Sequence, residues 1–503
     1  MRLRELSYAQ LPDRSRKRLL LMSSESYRSP PEFMLWEPVS VFVGTGTTRS
    51  LVAYPESADD CSAVLQYCRE NGLSICPRGS ARSYGDAILN DQNVLLDLSR
   101  MKRILEFNEE IAQVTVEAGT KIVDIFAKCH HLGFTVPASP TDSTISVGGA
   151  LAANVNGKDS WRVGNFGDQV VRMKVMLASG ETRALDRDHE RELFLAIVGG
   201  MGLLGVVLEV TLQLRKIPSP YLDVSISSAA DLDDLLRQLD KLKNSANFVV
   251  VWIDGYASGK NLGRSVIHAT TWAKVDFGAE KLKRDIEKGI ETLAGQRRNA
   301  LAFYRATRHL INLGFHVQKI LFRPFNKFYF WLHKRGEKAS IKPELFLGHN
   351  FDKSYVVPPP DILCGPHGYT VQITIPYGKG KEGLAKMLEL CRDLPCPPAT
   401  TILRLHRKDD HLISFSEDGY SLNVEFHPKK RHRAQMQKFM QRFIDCGIRY
   451  GSKVHLPKDI TLTREQFRCL YPNYRKFLEI KQQVDPEKLF QSGMYRRLFA
   501  EQR

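Results

Sequence analysis

Two stretches of the chain combine glycine, small polar residues and arginine in a way that suits phosphate chemistry. The first, RGSARSYGD at 78–86, sets Gly79, Gly85 and small residues at 80, 81 and 83 around Arg78 and Arg82. Short side chains leave backbone N–H groups open, and such a turn flanked by guanidinium groups is a nest for a diphosphate. An ordinary surface turn has the same composition, so the loop alone divides evenly between the two readings. The second, SPTDSTISVGGALAANVNGKDSWRVGNFGD at 139–168, is equally poor in large apolar residues. Its backbone can approach another body closely. A dinucleotide lying along a groove needs such access at more than one point, which favours the binding reading. A third cluster, Gly200-Met-Gly202-Leu-Leu-Gly205, matches GxGxxG. The dinucleotide fingerprint requires strand, glycine loop, then helix. Here the order is helix, glycines, strand, so we read a tight packing turn and leave open that it lies near a cofactor.

Lys458, in His-Leu-Pro-Lys-Asp, stands at the end of a predicted strand. A lone lysine is usually solvated. It enters the chemistry only if the tail folds back over a cofactor. Residues 292–336 hold nine Lys or Arg, nine aromatics and no acid; the aromatics include Phe325, Phe328, Tyr329, Phe330 and Trp331. This pattern fits an anionic membrane surface, where rings sit at headgroup level. A solvated basic face over a lid and single-stranded nucleic acid are the competing readings.

These groups must be positioned by alternating strands and helices. Ser57 and Asp60 predict a capping box opening a helix to Asn71, with Gly72 as its stop. Strands follow at Leu73–Pro77, Val94–Leu98 and Ala112–Glu117. Thr120 is read as the cap of a helix over Lys121–His131 that Gly133 ends. A hairpin joins Val170–Leu177 to Glu181–Leu185, a helix covers Glu190–Val198, and a strand Gly205–Leu214. Composition changes at Ile217-Pro218-Ser219-Pro220. Beyond it we read strands Phe248–Ile253, Tyr369–Ile375 and Tyr420–Phe426 and helices Ser228–Leu242, Gly383–Leu394 and Arg433–Cys446. The divisions are a lead-in over 1–30, a first domain over 31–219, an inserted α+β domain over 220–452, and a tail over 453–503 that reads as strand, loop and two helices.

The whole chain of 503 residues is 43% hydrophobic and 25% charged, which excludes a disordered, collagen-like or coiled-coil protein. The excess of 72 Lys and Arg over 56 Asp and Glu gives +16 and implies an anionic partner. Nine cysteines without CxxC spacing argue against zinc or a disulfide framework, and a reducing, cytoplasmic setting is expected. The apolar run Leu19–Met22 is too short for a signal segment, and Leu203–Leu214 is too short to cross a bilayer.

Taken together, RGSARSYGD, STISVGGALAANVNGK, VGNFGDQV, GGMGLLGVV and VDPEKLFQSGMYRRL resemble FAD-linked oxidases of the vanillyl-alcohol-oxidase type. Within that superfamily the nearest likeness is to the branch acting on polyprenyl-phosphate sugars. The resemblance covers about 30–216 strongly and 365–499 more weakly, including HLPKD and LYPNYRKFLEIKQQVDP. It implies an α+β fold: a two-subdomain PCMH-type FAD-binding domain, an inserted cap domain, and a tail that rejoins the first. It places FAD against Pro77, Arg78, Gly79, Ser80, Ala81, Arg82, Ser83, Tyr84, Gly85, Asp86 and Ala87. It adds Thr141, Ser146, Val147, Gly148, Gly149, Ala153, Asn154, Val155 and Asn156, then Val207 and His455 from later segments. Lys458 falls at the flavin face, and Gln372, Arg404 and Asn423 in the substrate pocket. Arg82 stands where covalently flavinylated relatives carry histidine, so FAD is expected to be held without a covalent bond. Asn156 replaces the histidine of a His-Gly-Lys stretch, Asn423 a pocket cysteine and Arg404 a lysine. No metal is implied.

The implied reaction takes a secondary hydroxyl of a sugar, borne on polyprenyl phosphate, to a ketone by hydride transfer to flavin N5. The hydroxyl proton passes to Lys458 or Tyr84, and the residues do not choose between them. Gln372 and Asn423 can each donate and accept towards sugar hydroxyls. The basic-aromatic segment would meet the inner face of a membrane, and a short-chain reductase would complete an epimerisation; no nucleic-acid partner is expected. Alternatives are an aldonolactone oxidase, a sterol-type flavin reductase and, in another class, a non-catalytic basic adaptor.

Overall fold

The computed structural model describes residues 31–500 apart from 32, 42–45, 276, 296–317, 335–337, 340–342, 352–367, 393, 395–397 and 429. The expected lead-in over 1–30 and much of the segment 292–336 lie outside the described residues.

Strands β1 (Met34–Ser40), β2 (Thr47–Ala53), β3 (Ile75–Arg78) and β4 (Val94–Asp97) form a sheet in the order β1-β2-β4-β3. β2, β4 and β3 are parallel. The helix Ala58–Glu70 makes the crossover from β2 to β3. Ser57 Oγ accepts from the Asp60 N–H at 3.1 Å while the Asp60 carboxylate accepts from the Ser57 N–H at 3.1 Å. Leu51–Ala53 and Val94–Leu96 are buried on both faces, as parallel central strands require.

Next come β5 (Ile104–Asn108), β6 (Gln113–Glu117), the short β7 (Phe134–Thr135), β8 (Val170–Met176), β9 (Thr182–Asp186), β10 (Val206–Gln213) and the short β11 (Arg215–Lys216). β7 and β11 pair with each other; the rest form an antiparallel sheet ordered β5-β6-β10-β8-β9. The composition change at 217–220 lies between β11 and the first strand of a third sheet.

That sheet has eight strands: β12 (Tyr221–Ala229), β13 (Phe248–Ile253), β14 (Ser265–Trp272), β15 (Lys338–Ala339), β16 (Glu344–Leu345), β17 (Tyr369–Pro376), β18 (Thr400–His406) and β19 (Gly419–Phe426). The order is β15-β12-β14-β13-β18-β19-β17, with β16 also on β12. Register sets Trp252, Ile402, Asn423 and Gln372 in one row across β13, β18, β19 and β17, and Arg404 opposite Ser421. Because side chains alternate along a strand, these residues share one face. The other face, with Ile373, Ile375 and Phe426, lies under the helices Gly380–Arg392 and Arg433–Arg449. A Cβ on Gly447 would stand 2.3 Å from Ile373, and one on Gly383 2.8 Å from Ile375.

The tail returns to the first sheet. Ile75 donates its N–H to the Leu489 carbonyl at 2.7 Å and accepts from Gln491 at 2.9 Å, so Phe490 lies parallel to edge strand β3. The helix Tyr474–Val484 carries Lys481, buried, whose Nζ donates to the Leu203 carbonyl (2.7 Å), Asp485 (2.6 Å) and the Phe490 carbonyl (2.9 Å). The glycine turn at 200–205 is thus pinned by the tail.

Three local expectations need correction. The helix after β6 runs Ile122–Cys129 with Lys121 as its N-cap, and Thr120 Oγ1 donates to the Arg103 carbonyl instead. The helix placed at Ser228 begins at Leu232, because Ser228 lies within β12, which ends at Ala229, and Asp231 accepts from the Asp234 N–H at 2.9 Å. The strand placed from Leu73 begins at Ile75. Seven described cysteines are free thiols, and all but Cys469 are buried.

Candidate active site

The glycine-rich loops converge. A Cβ on Gly79 would meet Ser146 Oγ at 2.0 Å, and one on Gly148 would meet Ala118 Cβ at 2.8 Å. The Ser80 N–H donates to Ser146 Oγ at 3.2 Å. Ala81 takes a left-handed φ of +54°. Arg82 donates to Thr144 Oγ1 at 3.0 and 2.8 Å and lies 3.3 Å from Asp142, which ties loop 78–86 to loop 139–158. From the tail, the Pro457 carbonyl accepts the N–H groups of Tyr84 and Gly85 at 2.8 and 3.3 Å. Together these segments enclose a cleft of about 1330 Å³ of atom-free space, part of it open to solvent.

Among the positions expected to hold the nucleotide, Pro77 to Tyr84, Ala87, Thr141, Ser146, Gly148, Gly149, Ala153, Val155, Asn156, Val207 and His455 line this cleft. Gly85, Asp86, Val147 and Asn154 do not. Gly85 packs against the Asp459 carbonyl, 2.2 Å from its would-be Cβ. Asp86 pairs with Arg497 at 2.7 Å, and Arg497 pairs with buried Asp459 at 3.1 Å. Val147 is in the core. Asn154 is buried, donating to Asp409 at 2.9 Å and accepting from the Gly167 N–H at 3.0 Å. Missed positions include Asp142, Ile145, Met201, Gly202, Gly205 and Pro457. The GxGxxG spacing was the signal for three of them. Leu98 and Ala118 also line the cleft, and nothing distinguishes them in sequence from other strand-end core residues.

At one end of the cleft stands the polar face of the eight-stranded sheet. Lys458 and Arg404 line the cleft; Gln372 and Asn423 do not, but they bond to Asn156 and Lys458, which do. Lys458 Nζ donates to Asn423 Oδ1 at 2.9 Å and sits 5.7 Å from the Tyr84 ring centre. Asn423 Nδ2 donates to Glu425 at 3.4 Å. Gln372 Nε2 donates to Ser421 (3.1 Å) and to Asn156 Oδ1 (3.3 Å), and Arg404 donates to the Asn156 carbonyl at 3.3 Å. Loss of water contact, then the nearby Arg404, pulls the Lys458 amine down to about 8, with Glu425 opposing. Burial likewise lowers Arg404 to about 10 and His455 to about 3 and raises Glu425. His455 is therefore neutral at physiological pH.

A flavin dinucleotide fits this cleft. Asn156 Nδ2, His455 Nδ1 and Gln372 Oε1 are buried without a hydrogen-bond partner among the described residues. Unpaired buried polar atoms are costly and mark a place where a ligand supplies the partner. The glycine positions leave backbone open where any Cβ would intrude. A separate grouping of Asp168, Asp410 and His411 has metal-ligand spacing, but Arg187 and Arg191 already engage its carboxylates.

Fold and cleft define the class: an FAD-linked oxidoreductase of the vanillyl-alcohol-oxidase type, acting on CH–OH groups. Residues 50–186 match the family described as FAD binding domain, and residues 212–498 that described as D-arabinono-1,4-lactone oxidase. The second match spans more than half the chain, and the chain belongs to that family. It is 25% identical to decaprenylphosphoryl-beta-D-ribose oxidase of Mycolicibacterium smegmatis over 91% of this chain and 96% of the relative. It is 24% identical to L-gulonolactone oxidase of Mus musculus over 90% and 96%. It is 28% identical to D-arabinono-1,4-lactone oxidase of Yarrowia lipolytica over 43% and 41%. Its substrates are sugar-like.

Proposed function

We propose that the protein oxidises a secondary hydroxyl of a sugar carried on a polyprenyl phosphate to the ketone. The observation that carries this reading is the meeting of the glycine-lined cleft with the polar sheet face at Lys458. FAD, when bound, supplies the two-electron oxidation. Loops 77–84 and 140–156 would hold its diphosphate on backbone N–H groups, with no covalent bond at Arg82. Lys458, with its amine near 8, accepts the hydroxyl proton in its neutral form. Tyr84, whose ring centre is 5.7 Å from the amine, is the other candidate for the proton path. Gln372 and Asn423 orient the sugar hydroxyls, and Arg404 stabilises negative charge as the proton leaves.

The lipid carrier is supported by the helix Gln318–His333. Its inner face packs on the sheet: Tyr329 against Trp252 at 4.8 Å between ring centres, and Asn326 donating to buried Asp254 at 2.9 Å. Trp252 lies in the same row as Asn423, two strand spacings or about 10 Å away. The outer face exposes Phe325 (53%), Phe328 (57%), Trp331 (50%) and Leu332 (45%) beside exposed Arg323, Lys327 and Lys334. Aromatic rings with cations suit an anionic lipid surface. Among the described residues no helix is long and apolar enough to cross a membrane. A ketone product needs a reductase of the short-chain type to give the epimeric alcohol, and we propose one as partner.

The aldonolactone reading is favoured by the family match over 212–498. Anaerobic bleaching of the yellow protein separates the two. Polyprenyl-phosphate sugars are expected to bleach it and 1,4-lactones to leave it yellow; the reverse would overturn the assignment.

A further inference from the structure

Among the described residues, the acidic side chain that the polar sheet face presents towards Lys458 is Glu425, and it reaches the lysine through an amide. Asn423 stands between them: Oδ1 accepts from Lys458 Nζ at 2.9 Å and Nδ2 donates to Glu425 at 3.4 Å. An ammonium can only donate and a carboxylate can only accept, so one amide orientation satisfies both neighbours. Asn423 and Glu425 are two apart on β19 and share its face. Glu425 is buried and takes a further hydrogen bond from Thr400 on β18. The other charged or titratable groups facing Lys458 are Arg404 from β18, His455 from the tail and Tyr84 from loop 78–86. Arg404 repels the ammonium, and neutral His455 does not compensate.

We propose that Glu425 is the positioning residue of the site: its carboxylate locks the Asn423 amide with the oxygen towards Lys458 and supplies the negative charge this lysine faces across the amide. The proposal rests on the functional reading above, in which Lys458 receives the hydroxyl proton. Glu425 touches no reacting atom. It acts by holding Asn423 in one orientation, so that the same amide oxygen can be handed from Lys458 to a sugar hydroxyl, and by keeping the lysine protonated until pH approaches 8.

The test uses the FAD-loaded full chain. Glu425→Gln presents a group that donates as well as accepts, and it removes the charge; Glu425→Asp keeps the charge. At separations of several ångströms and an effective dielectric of about 20, losing the carboxylate moves a neighbouring titration by about one to two pH units. The pH midpoint for anaerobic bleaching by the sugar substrate is expected to fall by about that much in E425Q and to return towards the native value in E425D. An unchanged midpoint in E425Q overturns the proposal. A second measurement holds even if no sugar bleaches the protein. The pH dependence of the melting temperature between 7 and 10 is compared for the native chain and E425Q, and again with Lys458→Met in both. A lysine lowered on folding costs stability at neutral pH, and that cost fades as pH rises from its folded value towards ~10.4. E425Q should deepen the cost, and the pH-dependent difference should vanish in the K458M pair. A difference that persists unchanged without the lysine overturns the coupling. Failure of the sugar panel alone overturns only the functional reading.

Discussion

At the scale of single residues, two positions decide whether the site works. Lys458→Met should leave FAD bound, because the backbone of the loops holds the nucleotide, yet slow anaerobic bleaching by about 10²–10⁴-fold, the usual worth of a positioned acid or base. In the native chain, bleaching should rise with pH and level off above about 8, since the neutral amine is the competent form. A flat profile would remove the lysine from the proton path. Gly79→Val should do the opposite: its side chain would collide with Ser146 Oγ, 2.0 Å from the Cβ position, and the purified protein should lose its visible flavin absorbance. The phosphate loops were legible because glycine and small residues leave a local signature. The pocket residues were not. Gln372, Arg404 and Asn423 came only through a family likeness, because register across three strands brings them together and no local spacing records it. Leu98 and Ala118 escaped because an apolar side chain at a cleft wall looks like one in a core.

At the scale of elements, the capped helix Ala58–Glu70 was readable from Ser57 and Asp60 because its stop and start are local chemistry. The helix drawn from Ser228 was not, since the serines at its start pack as the end of a strand and Asp231 offers the better cap. The helix Gln318–His333 announced its character through composition, and its placement came from the row Trp252–Asn423 on the sheet. Phe328→Glu together with Trp331→Glu, on the exposed face, should abolish co-flotation with vesicles rich in anionic lipid and leave flavin content unchanged. Equal flotation of the native and altered chains would remove this helix as the contact. High salt should weaken native flotation as well, since cations on the surface are screened within about 8–10 Å.

At the scale of the whole molecule, three sheets and a returning tail make one working cleft. The sequence break at 217–220 was visible as a change of composition, but the closure by residues 453–499 depends on an ion pair whose partners, Arg497 and Asp86, lie 411 residues apart. Arg497 joins Asp86 and Asp459, whose carboxylate is buried. Arg497→Met strands that charge, and the loss should be about 3 kcal/mol in denaturant unfolding, with FAD released earlier than from the native chain. Loss of less than about 1 kcal/mol would show that the tail is held elsewhere, for instance by Lys481 at the Leu203 carbonyl. The return of the tail also bears on how the molecule is made. Edge strand β3 receives its outer neighbour, Phe490, only after the residues between them have been synthesised. Synthesis runs from the N-terminal side, so the strands over 34–97 must persist with an uncovered sheet margin until the tail segment emerges. Capture of the vitamin-derived nucleotide is thereby tied to synthesis of the segment that carries Pro457 and Phe490, and a nascent product cut short before it will stay colourless.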